Sequence, residues 1–196
     1  MAGPFAHRAV PVPSSSLAPA SADVRMPTDP EELFELGFAH FDSVQAARRK
    51  KAYVFFDKAA ELGHVKAKRF LGQCLMDGLG VERMPAEAVR VWKEAATQGD
   101  DQAKFKLAEM FFFGEEPLEQ NFKMAELMFR QLADRGHVKA MENLADIYRE
   151  GLGVDKDEDK ADEWLQKAAE LDTNTTDGHD FALMLDDLPD FADADE

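Results

Sequence analysis

His64 and His137 stand in identical surroundings, Gly63-His64-Val65-Lys66-Ala67 and Gly136-His137-Val138-Lys139-Ala140. Imidazoles bind metals and move protons, so a matched pair is the first chemistry to consider. Asp155, Asp157 and Asp159 imitate the opening of a calcium loop, but its sixth-position glycine is Lys160 and its twelfth-position glutamate is Gln166. Cys74 is the only cysteine, which rules out an intramolecular disulfide or a zinc site built on thiolates. No histidine lies near it in sequence to activate it as a nucleophile. His7, His40 and His179 show no ligand spacing either. These residues give no catalytic, metal-binding or cofactor-binding constellation.

The elements that must hold the two histidines explain them. A third copy of the unit, Gly99-Asp100-Asp101-Gln102-Ala103, falls 36 residues after the first and 37 before the last. A leucine followed by a small residue recurs in step at Leu36-Gly37, Leu71-Gly72, Leu107-Ala108 and Leu144-Ala145. So do Ala52, Ala88, Ala125 and Ala161, then Phe56, Trp92, Phe129 and Trp164, then Ala60, Ala96, Ala133 and Ala169. A period of this length belongs to stacked helical hairpins, in which no unit buries its apolar face alone. Ala67, Leu71 and Leu75 mark one face of a first helix, and Ala88, Trp92 and Ala95 one face of a second. Gly78-Leu79-Gly80-Val81 and Gly151-Leu152-Gly153-Val154 supply positive φ between them, and Pro85 suits a first helical turn. Thr28-Asp29-Pro30-Glu31 has capping-box spacing and predicts the first helix start. Two units apart, at about 10 Å per layer, the histidines stand about 20 Å from each other and cannot share a metal. They are expected at helix starts, as are Asp155, Asp157 and Asp159.

These landmarks resemble the Sel1-like repeat family, relatives of tetratricopeptide repeats. Asp146 through Val154, Lys160-Ala161, Trp164 and Lys167-Ala168-Ala169 follow its pattern almost throughout. The unit from Ala67 to Gly99 matches nearly as well, whereas Phe113-Gly114-Glu115-Glu116-Pro117 replaces the double-glycine loop in the third. The first unit lacks that loop and holds His40 at the family's aromatic position. The resemblance implies an all-α, right-handed α/α solenoid of about four hairpins over residues 30–171, serving as a binding scaffold. It further implies that the groove-facing residues sit at fixed offsets from each leucine: Phe34, Phe38 and Phe41; Arg69, Gln73 and Met76; Phe105, Glu109, Phe112 and Phe113; Asp146 and Arg149.

Phe34, Phe38 and Phe41 form a stripe distinct from Leu33, Leu36 and Gly37. The run Phe111-Phe112-Phe113 covers too wide an arc for all three rings to point inward. Surplus aromatic surface of this kind marks a protein-binding site, unless the rings bury themselves against the leader or the second helix of their own unit.

The net charge of −16 argues against nucleic acid as a partner, since phosphate binding needs clustered Lys and Arg. Residues 170–196 hold ten Asp or Glu and no Lys or Arg, which leaves −6 for residues 1–169. Arg48-Arg49-Lys50-Lys51, the only basic run, is either a docking patch or the solvated face of a helix start. No apolar run of about 18 residues is present to span a membrane. Residues 1–29, rich in Pro, Ala and Ser, read as a disordered leader rather than a targeting segment, and a lone cysteine fits a cytoplasmic setting. Residues 172–196 form an acidic tail; Phe181, Met184, Leu185 and Leu188 share one face of a short helix expected near 179–188.

The expectation is therefore a non-enzymatic adaptor that holds a peptide or helix of another protein in its groove. A regulatory subunit that self-associates, with the acidic tail controlling the groove, is the alternative. A hydrolase of the β-lactam type known among Sel1-like proteins is the third reading, and those enzymes are cysteine-rich.

Overall fold

A computed structural model describes residues 26–176, which form eight helices and no strand. They are α1 (Pro30–Phe41), α2 (Ala46–Glu61), α3 (Val65–Asp77), α4 (Pro85–Thr97), α5 (Asp101–Phe113), α6 (Phe122–Ala133), α7 (Val138–Glu150) and α8 (Glu158–Thr176). The closest backbone packing is between helices consecutive in the chain, the signature of a solenoid. Most of the leader, and the amphipathic stretch at 179–188, lie outside the described residues.

The helix boundaries follow local chemistry. His64 and His137 are N-caps: their Nδ1 atoms accept the backbone N–H of Ala67 (2.9 Å) and Ala140 (3.3 Å). Asp100 does the same for Ala103 at 2.7 Å, so the unit without a histidine is capped by a carboxylate. Asp157 accepts from the N–H of Lys160 in front of α8. At α1 the cap is Asp29, which accepts from Glu31, and Pro30 takes the first helical position. The cap is thus Asp29 rather than Thr28, one residue later than expected, with Pro30 suited to the first helical position.

Three overlapping apolar clusters bind the hairpins together. One joins Leu33, Phe56, Leu71 and Leu75; the next Trp92, Leu107 and Met110; the last Phe129, Leu144 and Ile147. Small residues admit the rings. A Cβ on Gly72 would lie 2.3 Å from Trp92 Nε1, and one on Gly37 would lie 2.6 Å from the Phe56 ring. Trp92 enters through that gap and donates its indole N–H to the Arg69 carbonyl at 2.9 Å. The second glycine of each double-glycine loop has a packing role as well. Gly80, at φ +79°, meets the Arg49 carbonyl on α2, and Gly153, at φ +72°, meets the backbone of Phe122 and Lys123 on α6. Each such loop therefore seats on the preceding hairpin.

Candidate partner-binding groove

The first helices of the hairpins, α1, α3, α5 and α7, carry all the residues expected to line the groove. One position in three of them, two residues before the landmark leucine, reaches the cap of the next unit. Phe34 stacks on His64 with centroids 4.7 Å apart, and Phe105 stacks on His137 at the same distance. Arg69, at the equivalent place, pairs with Asp100 at 3.2 Å. Aromatic meets imidazole, and guanidinium meets carboxylate. The histidines gain a further link through Nε2, which lies 3.0 Å from Glu31 for His64 and 3.5 Å from Gln102 for His137. Both imidazoles are thus committed to joining units.

This stacking removes Phe105 from the open surface. It is 7% exposed, lying in the core between His137 and Phe129. Phe34 is half-buried, in contact with Phe38, Phe56 and Phe70 as well as His64. Phe41, also half-buried, meets Phe56 and Phe70 edge-on. Phe38 remains 52% exposed at the edge of that cluster, its ring centroid 5.5 Å from Phe70. On α5, Phe112 is half-buried among Phe113, Phe122 and Phe129, while Phe113 is 62% exposed. The two most open phenylalanines among the described residues therefore stand on α1 and α5, with α3 between them.

Two clefts fill that interval. One of about 350 Å³ is bounded by Phe41, Arg69, Phe70, Leu79 and Gln102, and one of about 280 Å³ by Met76, Glu109, Met110 and Phe113. They share Gln73, Asp77, Trp92 and Lys106, and so run together across α1, α3 and α5. Polar side chains on the floor are mutually satisfied: Gln73 donates to Asp77, and Lys106 pairs with Glu109 at 3.0 Å. Asp146 and Arg149 stand apart on α7. They pair with each other at 3.6 Å, and Arg149 reaches Asp162 on α8 at 3.7 Å. Of the expected residues, then, Phe41, Arg69, Gln73, Met76, Glu109 and Phe113 come together. Phe70, Trp92 and Lys106 were missed; the spacing of Phe70, beside the landmark leucine, reads as core and gives no sign that its edge is open.

Burial pushes the Cys74 thiol from 9.0 up to about 12, so it carries no thiolate at neutral pH. Tyr148 is raised first by burial and then by donating to the buried Glu126 at 3.1 Å, a bridge between α6 and α7 completed by Arg130. Arg49 of the basic run donates to the Ser43 carbonyl, while Arg48, Lys50 and Lys51 are exposed. Among the described residues, no group of three His, Cys, Asp or Glu is placed to hold a metal ion, and no helix is long and apolar enough to cross a membrane.

Consecutive helical hairpins, caps interlocked from unit to unit and an aromatic-edged channel across their first helices define an all-α repeat solenoid of the protein-interaction class. The chain belongs to the Sel1 repeat family, whose repeat matches four times, at residues 33–64, 65–100, 101–137 and 138–172. It is similar to a chitin synthase regulator of Saccharomyces cerevisiae, 30% identical over 156 residues that make up 79% of this chain and 22% of that protein. Chitin synthase regulatory factor 3 of Schizosaccharomyces pombe is 30% identical over 128 residues, 63% of this chain and 14% of that one. The chain thus spans less than a quarter of these relatives. Among solved structures, a protective antigen of uropathogenic Escherichia coli superposes with a TM-score of 0.64 at 33% identity, covering 73% of this chain and 31% of that one. A Sel1 repeat protein from Oxalobacter formigenes gives 0.67 at 22% identity, over 74% and 59% of the two chains, and shows the shared fold.

Proposed function

We propose that this protein is a non-enzymatic adaptor that holds a short apolar peptide or helix of a partner protein in the channel across α1, α3 and α5. The observation that carries the reading is a continuous cleft walled by Phe41 and Phe70 at one end and by the solvent-facing Phe113 at the other, with the exposed ring of Phe38 packed beside Phe70 and the polar side chains of the cleft already internally paired. Exposed aromatic anchors around a pre-formed depression are what interface hot spots are made of. The regulator names of the fungal relatives support a role exerted through other proteins. Mixed charge in the lining, from Arg69, Lys106, Asp77 and Glu109, suits a peptide rather than a polyanion.

Replacing both anchors, Phe38→Ala with Phe113→Ala, tests this. Each ring is more than half exposed and keeps an edge contact with a neighbouring ring, so stability should fall by no more than about 1 kcal/mol per site. Affinity for the partner recovered with the unaltered chain should drop at least about thirtyfold, as expected for two anchors worth over 1 kcal/mol each. Undiminished affinity in the double variant would refute the channel as the binding site.

A further inference from the structure

A second groove, of about 750 Å³ and predominantly apolar, opens on the side of the α1–α2 hairpin facing away from α3. Leu36, Val54 and Phe55 form its apolar wall, with Met26 and Pro27 at one end and Lys50 and Lys51 on the α2 rim. Its origin lies in the repeat itself. The leucine equivalent to Leu36 is closed over in every later unit, as Leu71, Leu107 and Leu144 are all buried, whereas Leu36 is only partly covered. The groove is thus the face on which a preceding hairpin would pack, shaped for an apolar helix and unfilled among the described residues.

We propose that this groove receives the segment 180–188 from the C-terminal tail of a second copy of the chain. Phe181, Met184, Leu185 and Leu188 fall in an apolar stripe at helical spacing in the sequence, the pattern by which an amphipathic helix lays its apolar face into a groove. Charge selects the same segment. Asp180, Asp186 and Asp187 flank the stripe, and the tail from residue 170 onward holds no Lys or Arg, opposite a rim that carries Lys50 and Lys51 with Arg48 beside them. Glu32 is the acidic member of the lining, on the α1 side. Residues 1–25, by contrast, hold Arg8, Arg25 and a single acid, Asp23, and offer that basic rim no complement. Chain length excludes the same copy: from Thr176 to Asp180 the backbone reaches about 14 Å, while α1–α2 lies three hairpins away, about 30 Å at 10 Å per layer.

The test is sedimentation of the full chain over a concentration range, with side-chain changes confined to exposed rim residues and to the tail. Mass should rise with concentration for the unaltered protein, and Lys50→Glu/Lys51→Glu should weaken association at least about tenfold. Phe181→Asp/Leu185→Asp should do the same without changing the melt. Adding Asp186→Lys/Asp187→Lys to the rim variant should restore association, because the charges are then exchanged. A fluorescent peptide of residues 178–191 should bind the full chain carrying Phe181→Asp/Leu185→Asp and fail to bind when the rim is also reversed. A monomer at every concentration, association indifferent to the rim, no recovery on exchange, or peptide binding that appears only after removal of residues 1–25 would each overturn the proposal.

Discussion

Arg69 and Asp100 show how much of a repeat protein rests on single pairs between units. Asp100 caps α5 and holds Arg69, its carboxylate largely shielded from water. A double-mutant cycle with Arg69→Ala and Asp100→Ala should return a coupling near 1 kcal/mol, above the usual surface ion pair because one partner is buried. Additive effects would mean that the cap, not the pair, is what matters. Cys74 supplies a pH signature. The folded thiol keeps its proton up to about 12, while the unfolded chain releases it near 9.0, so the unfolded state gains as pH climbs through that window. Tyr53 and Tyr148 are raised by burial as well and act in the same direction. Stability should be undiminished by these groups below about pH 9 and fall above it, and native Cys74 should resist alkylation at pH 8 until denaturant is added. Rapid alkylation of the folded chain would contradict this. At this scale the sequence was half legible: histidines as helix caps follow from the repeat, but the stacking of Phe105 on His137 required knowing which first-helix residue reaches the next unit.

Helices and loops were the most readable level, since glycine, proline and capping residues act within a few positions of themselves. Gly78 and Gly80 at positive φ, and Pro85 at the start of α4, are where local chemistry puts them. The depth at which Trp92 enters is a different matter, because it depends on the space above Gly72 in another helix. Gly72→Ala gains up to about 1 kcal/mol of helix propensity yet forces a methyl into the indole, and overpacking of this kind costs about 1–3 kcal/mol. A melting temperature lowered by several degrees is expected; an unchanged or raised one would mean the ring can yield. Tyr148→Phe should cost about 1 kcal/mol by leaving the buried Glu126 with Arg130 alone. The groove was only partly visible from fixed offsets, which describe a helix face but not neighbouring helices. They captured Phe41, Gln73, Met76 and Phe113 and passed over Trp92 and Lys106, which face the same cleft from α4 and from another position on α5.

For the molecule as a whole, packing chiefly between neighbouring helices makes stability nearly a sum of hairpins and their interfaces. Such a frame can leave aromatic surface open at one place without weakening the rest, and here that surface lies open at Phe38 and Phe113. The most direct measurement places a photo-crosslinking phenylalanine analogue at one position at a time, at Phe38 beside the channel, at Phe113 in its wall and at Lys93 on the outside of α4, in the full chain within its native extract. Both phenylalanine positions should join the same partner protein through one short segment, with Lys93 giving none of it. Equal capture at Lys93, or no common partner at the two phenylalanines, would contradict the account.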